Sequence, residues 1–259
     1  MNNNLTNNFL QPDSTNLIRG GTGYPYTPFE LKLQLHGQER NPYTVSVKSG
    51  YKVSASISVD VPAYTEKSWT TAGTFSWTVP AGVTRIRVAV CGGGGGGSYT
   101  YRSEDHAYAS AGNSSTFAGL IATGGGRADT DGPTNSSSLG QCHVGVGGSP
   151  NGRNGVGCQT WTYSAQTADG GAGWALNFNK QTGSYGNGGT MRKNANGYAT
   201  LAGGGSGGYT TSYVNVNPSQ VLSGTVGSAG SNISWGSKAG SHTAPTSGFV
   251  LIAYGQGIE

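Results

Sequence analysis

The stretch Arg85-Ile86-Arg87-Val88-Ala89-Val90-Cys91-Gly92-Gly93-Gly94-Gly95-Gly96-Gly97 joins a short apolar run to six consecutive glycines. An ordinary strand does not end in residues that have no side chain to pack. Glycine loses more conformational freedom on folding than any other residue, so this run is unfavourable unless close backbone packing offsets the loss. Further clusters follow at Gly124-Gly125-Gly126, Gly147-Gly148, Gly170-Gly171, Gly188-Gly189, Gly203-Gly204-Gly205 and Gly207-Gly208. Their recurrence indicates parallel elements of one core.

Such runs can adopt an extended three-residue helix that rises about 3.1 Å per residue, so that six residues span roughly 19 Å. This helix makes no internal hydrogen bonds, and neighbouring runs can therefore satisfy each other's backbone groups. We predict an all-β chain with a polyglycine II-like core, in preference to flexible Gly/Ser linkers. The glycines that we assign to this core are Gly92, Gly93, Gly94, Gly95, Gly96, Gly97, Gly124, Gly125, Gly126, Gly203, Gly204 and Gly205.

The composition is that of an ordered chain with an unusual bias. Of 259 residues, 34% are hydrophobic, only 10% are charged and 47 are glycine. A bias of this kind can indicate disorder, but five Trp and 14 Tyr are more aromatic residues than disordered chains usually contain. Five glycines fall in residues 1–67 and 42 in residues 68–259, which predicts a domain boundary near Ser68.

Charge and hydropathy argue against several classes of protein. The net charge is a mild +4 and the basic residues are scattered, whereas nucleic-acid-binding proteins cluster them. The longest apolar run, residues 249–254, is far shorter than the roughly 20 residues of a membrane-spanning helix. The start of the chain lacks the features of a signal peptide. Three cysteines cannot all pair within one chain, so we expect free thiols and synthesis in a reducing cytosol, while a Cys142–Cys158 bridge stays open.

The residues before the boundary divide into an arm and a small sheet. Residues 1–29 contain Asn runs and prolines with no apolar face, which is typical of an arm. Period-two alternation then runs through residues 31–35, 43–47 and 51–61, with one polar face. We interpret residues 30–67 as a small antiparallel attachment module.

Residues 68–91 have the pattern of a β-hairpin. Apolar and polar residues alternate from Thr74 to Val79, Pro80-Ala81-Gly82 supplies a turn, and residues 83–91 return as the next strand. The closing apolar run, residues 249–254, is expected to lie beside this hairpin and to complete its sheet. Residues 68–259 would then form one glycine-rich domain.

The segments between the glycine clusters are rich in aromatic side chains, for which a glycine core has no use. Tyr and Trp together with Ser, Gly and Asn are the composition of adaptable binding loops, and Tyr, Trp and Arg are the usual binding hot spots. By burial statistics alone, these rings could equally well cap the glycine core. The residues concerned are Tyr99, Tyr101, Arg102, His106, Tyr108, Trp161, Tyr163, Trp174, Arg192, Lys193, Tyr209, Tyr213 and Trp235.

The opening and closing motifs resemble a known family. Residues 74–84, followed by residues 87–97, are similar to the start of the glycine-rich domain of bacteriophage tail fibre and minor tail proteins, and residues 247–254 are similar to its closing strand. Residues 203–226 resemble its late hairpin, and the resemblance covers residues 68–255. The alternation of loops and glycine runs also resembles the receptor-recognising adhesin of T-even phage long tail fibres, a polyglycine sandwich. This resemblance implies receptor binding by the aromatic residues named above, and it brings no catalytic residues.

Motifs that would indicate other chemistry are weak. Gly203-x-Gly205-x-x-Gly208 matches a dinucleotide fingerprint by letter but precedes no predicted helix. Asp129-Thr130-Asp131-Gly132 lacks the later ligands of a calcium loop, and Cys142-His143 with Cys158 offers too few ligands for zinc. One histidine, His106, beside two carboxylates on a Tyr-rich segment favours recognition over acid–base catalysis. No cofactor, metal or catalytic residue is therefore predicted.

The sequence favours a non-enzymatic phage tail or tail-fibre tip adhesin, made in the host cytoplasm and located in the virion. Its expected partners are a bacterial outer-surface receptor, either an outer-membrane protein or lipopolysaccharide, and other tail proteins contacted through residues 1–67. No nucleic acid is expected, and a homo-oligomer is left open. The alternatives are a structural tail or fibre subunit whose loops contact other subunits, and a surface polysaccharide depolymerase.

Overall fold

The computed structural model describes residues 62–101, 106–132, 141–160, 165–194, 199–235 and 240–258, together with the backbone of four short strands between residues 29 and 45. These residues form strands and turns and contain no helix, which confirms the all-β prediction. A helix capable of crossing a membrane is accordingly not found among them. The chain divides into two compact units, residues 1–60 and 61–259.

The described backbone of the first unit forms two antiparallel strand pairs. Its strands are β1 (Phe29–Leu31), β2 (Gln34–Leu35), β3 (Gln38–Glu39) and β4 (Tyr43–Val45). Strand β1 pairs with β4, and β2 pairs with β3. The alternation predicted around residues 31–35 and 43–47 is therefore present as short strands, whereas the strand predicted over residues 51–61 lies outside the described residues.

The described residues of the second unit form nineteen strands. They are β5 (Thr65–Trp69), β6 (Gly73–Thr78), β7 (Arg85–Cys91), β8 (Ser98–Tyr101), β9 (Ala107–Tyr108), β10 (Ser115–Phe117), β11 (Leu120–Ala122), β12 (Asp129–Thr130), β13 (Cys142–His143), β14 (Gly157–Thr160), β15 (Gln166–Ala168), β16 (Gly173–Trp174), β17 (Thr182–Gly183), β18 (Met191–Lys193), β19 (Ala199–Ala202), β20 (Tyr209–Asn215), β21 (Val221–Val226), β22 (Ile233–Trp235) and β23 (Phe249–Tyr254).

One end of the second unit, which we call the base, is a sandwich of two four-stranded sheets. Their strand orders are β20-β7-β23-β5 and β11-β10-β21-β6. Between them lies an apolar core to which Trp77 contributes from β6, Val88 from β7 and Phe117 from β10. Strand β7 is buried on both faces, because Ala89 and Cys91 point the other way and pack against Trp174, Phe178 and Tyr209. Burial on two faces explains why residues 88–91 of β7 are continuously apolar.

Strands β6 and β7 do not form the predicted hairpin. The turn at Pro80-Ala81-Gly82 is present, but β6 pairs with β21, and β7 pairs with β20 and β23. Period-two alternation locates a strand without identifying its partner, and here the apolar faces of β6 and β7 meet across the core instead. The expected pairing of residues 249–254 with residues 85–91 is confirmed, with Val250 opposite Val90.

Burial of the Cys91 thiol leads to a testable chemical prediction. Desolvation raises the pKa of Cys91 to about 12, so the folded chain keeps a proton that the unfolded chain loses. The stability contributed by this thiol is complete below about pH 8.5 and is lost as the pH rises toward 12. At pH 9 we expect iodoacetamide to modify Cys91 much more slowly in native protein than in urea, as measured by peptide mass spectrometry.

The half-buried Cys142 on β13 is the internal control for this measurement. Its pKa is also raised by burial, but part of its side chain remains accessible. Native Cys91 that reacts as fast as native Cys142 would contradict the described packing.

Beyond the base, the glycine runs form a lattice in which residues 92–97 are surrounded by six other segments. Most residues three apart bond to the same neighbouring segment, which is the period of the polyglycine II helix, whereas the Gly94 amide donates to Thr246 O and the Gly97 amide to Asn232 Oδ1. The amides donate from Gly92 to Gly208 O (3.0 Å), Gly95 to Gly205 O (2.8 Å), Gly93 to Asn113 O (3.0 Å), Gly96 to Ser110 O (2.8 Å) and Gly94 to Thr246 O (2.9 Å). The carbonyls accept at Gly93 from Gly125 (2.8 Å), Gly96 from Ala128 (2.9 Å), Gly94 from Gly230 (2.8 Å), Gly97 from Ile233 (3.0 Å) and Gly95 from Gly189 (2.8 Å).

A second run, residues 203–208, is surrounded in the same way. Its amides donate from Gly203 to Val156 O (2.8 Å), Ser206 to Arg153 O (2.9 Å), Gly204 to Gly189 O (3.0 Å), Gly207 to Gly186 O (2.8 Å), Gly205 to Gly126 O (2.9 Å) and Gly208 to Thr123 O (2.9 Å). Its carbonyls accept from segments that include residues 145–148 and Gly171. The predicted glycine-rich core is therefore confirmed as a backbone-to-backbone lattice.

The lattice has almost no room for side chains at its centre. A Cβ atom built at any of residues 92–97 would lie 1.8–2.6 Å from its nearest neighbouring atom, and at Gly124, Gly125, Gly203, Gly204 or Gly205 the distance would be 2.0–2.1 Å. Real Cβ atoms do not approach other atoms so closely. Gly126 is less confined, with its nearest neighbours at 3.0 Å. Close approach of backbones thus explains why the chain uses glycine here.

Candidate functional site

Several strands of the second unit lie at the end of the lattice remote from the base, which we call the tip. They are β8, β9, β12, β13, β14, β15, β18, β19 and β22. They pair as β14-β19-β8-β22, as β13-β12-β9 and as β15-β18. The first and last strands of the unit, β5 and β23, both belong to the base. The tip is therefore at the opposite end of the unit from its first and last strands.

An exposed aromatic cluster lies on the three-stranded sheet of the tip. We call it the Tyr108 face and define it by His106, Tyr108, Arg127, Asp129 and Asp131. The Tyr108 residue is 51% exposed, and its ring stacks on the His106 ring at a centroid distance of 5.9 Å. The Arg127 guanidinium carbon lies 5.3 Å from the centre of the Tyr108 ring. The ring is therefore accessible to solvent and is contacted by two charged or polar neighbours.

Each carboxylate of the Tyr108 face is paired with a basic side chain. Asp131 Oδ1 lies 2.5 Å from His106 Nδ1. Asp129 Oδ1 is buried and lies 3.1 Å from Arg127 Nε, which is an ion pair without good hydrogen-bond alignment. These pairs hold the polar groups around the rim of the ring.

Strand register aligns polar groups across the same sheet. Asp129 on β12 lies directly opposite Tyr108 on β9 and opposite His143 on β13. Residues that lie directly opposite in an antiparallel pair share a face of the sheet. His143 is exposed and extends the polar part of the Tyr108 face beyond Asp129.

A second exposed ring lies on a neighbouring strand. Trp235 on β22 is 48% exposed, and β22 lies beside β9. The segment after β9 and the segment before β22 are also hydrogen-bonded to each other below the tip. Ser110 N donates to Ser231 O (3.1 Å), and Asn113 N donates to Ser228 O (2.9 Å). Among the described residues of the tip, the large exposed aromatic side chains are Tyr108 and Trp235, and they lie on neighbouring strands.

Several of the aromatic residues assigned to receptor contact are buried instead. Tyr99 and Tyr101 on β8 pack with Met191 and Leu201 in an apolar cluster beneath the tip, and Tyr99 is fully buried. Desolvation raises the pKa of Tyr99 and lowers the pKa of His242, whose ring lies 6.0 Å from the Tyr99 ring. Residues 99 and 101 lie on the same face of β8, and the elements that pack on that face decide whether the two rings are buried or exposed. These two tyrosines therefore cap the glycine lattice.

Trp174 and Tyr209 lie at the base rather than at the tip. Trp174 is 3% exposed and its indole N–H donates to Gly207 O at 2.8 Å. The Tyr209 hydroxyl donates to Asn177 O at 2.8 Å, and the two rings lie 5.1 Å apart. They close the lower end of the lattice, so their surface is not available to a receptor.

The remaining predicted contact residues fall into three groups. Lys193 on β18 is buried, while its neighbour Arg192 is exposed at the tip. Tyr213 is 43% exposed but belongs to β20 at the base, with the Arg85 guanidinium 4.5 Å from its ring centre. Arg102, Trp161 and Tyr163 lie outside the described residues. Of the thirteen predicted contact residues, His106, Tyr108, Arg192 and Trp235 are thus exposed at the tip.

The sequence reasoning missed three members of the Tyr108 face as contact residues. Arg127, Asp129 and Asp131 flank a glycine cluster and lie about twenty positions from Tyr108 along the chain. The pairing of β9 with β12 brings them together. A short charged stretch directly after a glycine run, where the chain reaches the tip, is the signal that could have identified them.

Other features of the described surface carry less chemistry. No group of three or more His, Cys, Asp or Glu side chains within the described ranges is placed to hold a metal ion. An open groove of about 540 Å³ lies on the outer face of the base, between β6, β10 and β21. It is lined by Thr, Ser, Phe75 and Gly224, and contains no ionisable side chain.

Comparison with known families supports a glycine-rich domain. Residues 70–105, which cover β6, β7 and the 92–97 run, match the model of a family described as a glycine-rich domain. No curated protein matches the chain.

Proposed function

We propose that the protein is a receptor-binding adhesin of a bacteriophage tail or tail fibre, in which the tip of the second unit contacts a bacterial surface receptor. The observation that carries the proposal is the structural difference between the base and the tip. The base contains two of the packed apolar clusters and both terminal strands of the unit, whereas the exposed rings of Tyr108 and Trp235 lie at the opposite end.

The lattice between the two ends suits this role. Each 92–97 residue is tied to neighbouring segments by backbone hydrogen bonds, so the lattice is expected to be stiff. A stiff support holds binding side chains in place and reduces the entropy that they would lose on contact. Binding residues are commonly carried on connections that a rigid scaffold positions.

The composition of the exposed tip also favours recognition. Tyr108 and Trp235 are aromatic side chains of the kind enriched at binding hot spots, and the Arg192 side chain is exposed on the same end. We further propose that residues 1–67 attach the protein to other tail proteins. Several copies in one virion would convert modest single-site affinity into avidity.

A cell-binding measurement tests this proposal. The full chain is displayed in many copies on fluorescent beads, and the beads are incubated with a panel of Gram-negative strains and counted by flow cytometry. We expect wild-type beads to bind some strains. The tip variant Tyr108→Ala/Trp235→Ala is expected to lose at least about 30-fold in half-saturating bead concentration, the effect of removing one strong hot spot.

The matched control is the base variant Tyr64→Ala/Tyr213→Ala, which removes two rings of similar exposure from the other end of the unit. It should bind the same strains as the wild type does. Loss of binding in the base variant with retention in the tip variant, or no binding of wild-type beads to any strain, would overturn the proposal. If the protein is a purely structural subunit, wild-type beads will bind to none of the strains.

A further inference from the structure

We propose that the Tyr108 face binds an uncharged saccharide, with one sugar ring resting on the Tyr108 ring and its hydroxyl groups bonded to the surrounding polar side chains. This inference rests on the proposed function and identifies the chemical class of the receptor. It is carried by the geometry of His106, Tyr108, Arg127, Asp129 and Asp131.

The first part of the argument concerns the platform. The Tyr108 residue is about half exposed, so part of its ring is accessible to a ligand, while the His106 ring and the Arg127 guanidinium restrict its motion. A tyrosine side chain has few rotatable bonds and combines an apolar ring with a polar end. The C–H groups of a sugar ring are apolar and can pack flat on such a surface.

The second part concerns the rim. A carboxylate has two oxygens and about four acceptor sites, and a guanidinium has five N–H donors. Asp131 accepts one hydrogen bond from His106 and keeps further acceptor sites, and the exposed Arg127 guanidinium keeps further N–H donors beside its ion pair with Asp129. A ligand with several adjacent hydroxyl groups, each a donor and an acceptor, can use that capacity around a single ring.

The third part concerns charge. The charges of Asp129 and Arg127 cancel, and Asp131 shares a hydrogen bond with His106, so the described side chains of the face carry no net positive charge that would attract an anionic ligand. A phosphate or carboxylate group would meet the two carboxylates, which oppose it. Binding of an uncharged ligand should depend weakly on salt concentration, because screening acts on net charges.

The fourth part concerns size. A stable interface with a folded protein usually buries about 800 Å² on each partner around an apolar centre. Among the tip strands whose side chains are described, the large exposed hydrophobic residues are Tyr108 and Trp235. Two separate rings with polar surroundings suit sugar units better than they suit a continuous apolar interface.

The test measures binding of the full chain to immobilised oligosaccharides of glucose, galactose and mannose, and to purified lipopolysaccharides with neutral or acidic O-chains. We expect wild-type protein to bind at least one uncharged glycan, with affinity that changes less than about threefold between 50 and 500 mM NaCl. Tyr108→Ala should weaken this binding about tenfold or more. Tyr108→Trp, which keeps an aromatic platform, should retain it.

The control variant is Tyr213→Ala, which removes an exposed tyrosine from the base and should bind the glycans as well as the wild type does. Far-UV circular dichroism and thermal unfolding of each variant show whether the fold is intact. Equal weakening by Tyr108→Ala and Tyr213→Ala would overturn the inference, as would tight binding confined to acidic glycans with a steep salt dependence.

Two treatments of whole cells separate failure of this inference from failure of the proposed function. Periodate oxidation destroys sugar rings, whereas protease treatment removes surface proteins. Loss of cell binding after periodate supports a saccharide receptor. Cell binding that survives periodate and is lost after protease overturns the inference while the adhesin proposal stands. If no cell is bound, the adhesin proposal fails and the glycan measurement decides the inference by itself.

Discussion

The variant Gly95→Ala is expected to destabilise the second unit strongly. A Cβ at this position would lie 2.0 Å from the carbonyl oxygen of Gly126 and 2.5 Å from its carbonyl carbon. Both atoms belong to backbone, which cannot rotate away as a side chain can. Moving either segment would disturb the bonds from Gly95 N to Gly205 O (2.8 Å) and from Gly189 N to Gly95 O (2.8 Å).

The expected size of this effect is large relative to the stability of a domain. Overpacking in a rigid interior usually costs about 1–3 kcal/mol, and the added loss of backbone hydrogen bonds should bring the total above about 4 kcal/mol. Domains of this kind are stable by about 5–15 kcal/mol. Soluble yield and the urea midpoint of the purified variant measure the effect.

Two other glycines provide graded controls for Gly95→Ala. At Gly126 the nearest atoms to an added Cβ, Val146 N and O, lie 3.0 Å away, so Gly126→Ala should have an intermediate effect. At Gly240 the nearest atoms are Asn194 Oδ1 at 3.0 Å, and the Cβ and backbone oxygen of Arg192, each at 3.2 Å. Gly240→Ala should change the free energy of unfolding by less than about 1 kcal/mol. Equal effects of all three substitutions would show that conformational entropy, rather than space, explains the glycines.

Trp174→Ala is expected to destabilise the second unit by about 3–5 kcal/mol, the usual range for removing a buried aromatic side chain. The indole packs beside Tyr209, accepts the Arg153 guanidinium at 4.5 Å from its ring centre, and donates its N–H to Gly207 O at 2.8 Å. The Gly207 amide in turn donates to Gly186 O. The substitution therefore removes the side chain that closes the lower end of the lattice. Urea unfolding, monitored by circular dichroism, measures the decrease in the free energy of unfolding.

Two further substitutions separate packing from receptor contact. Trp174→Phe keeps a ring but lacks the N–H group, and should lose about 1–3 kcal/mol. Trp235→Ala at the exposed tip is the matched control and should change the free energy of unfolding by less than about 0.5 kcal/mol. A stable Trp174→Ala protein that fails to bind cells would instead make Trp174 a contact residue.

Which aromatic side chains face solvent could not be predicted from the sequence. Tyr99 and Tyr108 stand in the same Tyr-rich segment, yet Tyr99 is fully buried and Tyr108 is half exposed. The difference comes from pairing, because β8 is an internal strand between β19 and β22, whereas β9 is the edge of a three-stranded sheet. Neighbouring strands on both sides, with other elements packed on the faces, bury a ring that an edge leaves accessible.

Partners distant in the sequence were missed for a related reason. The alternation in residues 74–79 correctly predicted strand β6, but its partner β21 lies more than 140 positions later. In the same way, nothing local to Tyr108 indicates that Asp129 will lie opposite it. Strand register is a long-range property, and period-two patterns repeat in many strands that could pair.

The sequence alone determined the glycine lattice and the all-β class. The absence of a side chain is a property of each residue, and six such residues in succession can be accommodated in an ordered core only where backbones pack directly against each other. Only the tertiary structure decided that Tyr99, Trp174 and Tyr209 cap that lattice. It also decided that charged and polar side chains surround Tyr108 at the tip. Burial and juxtaposition depend on which segments become neighbours, and no single segment carries that information.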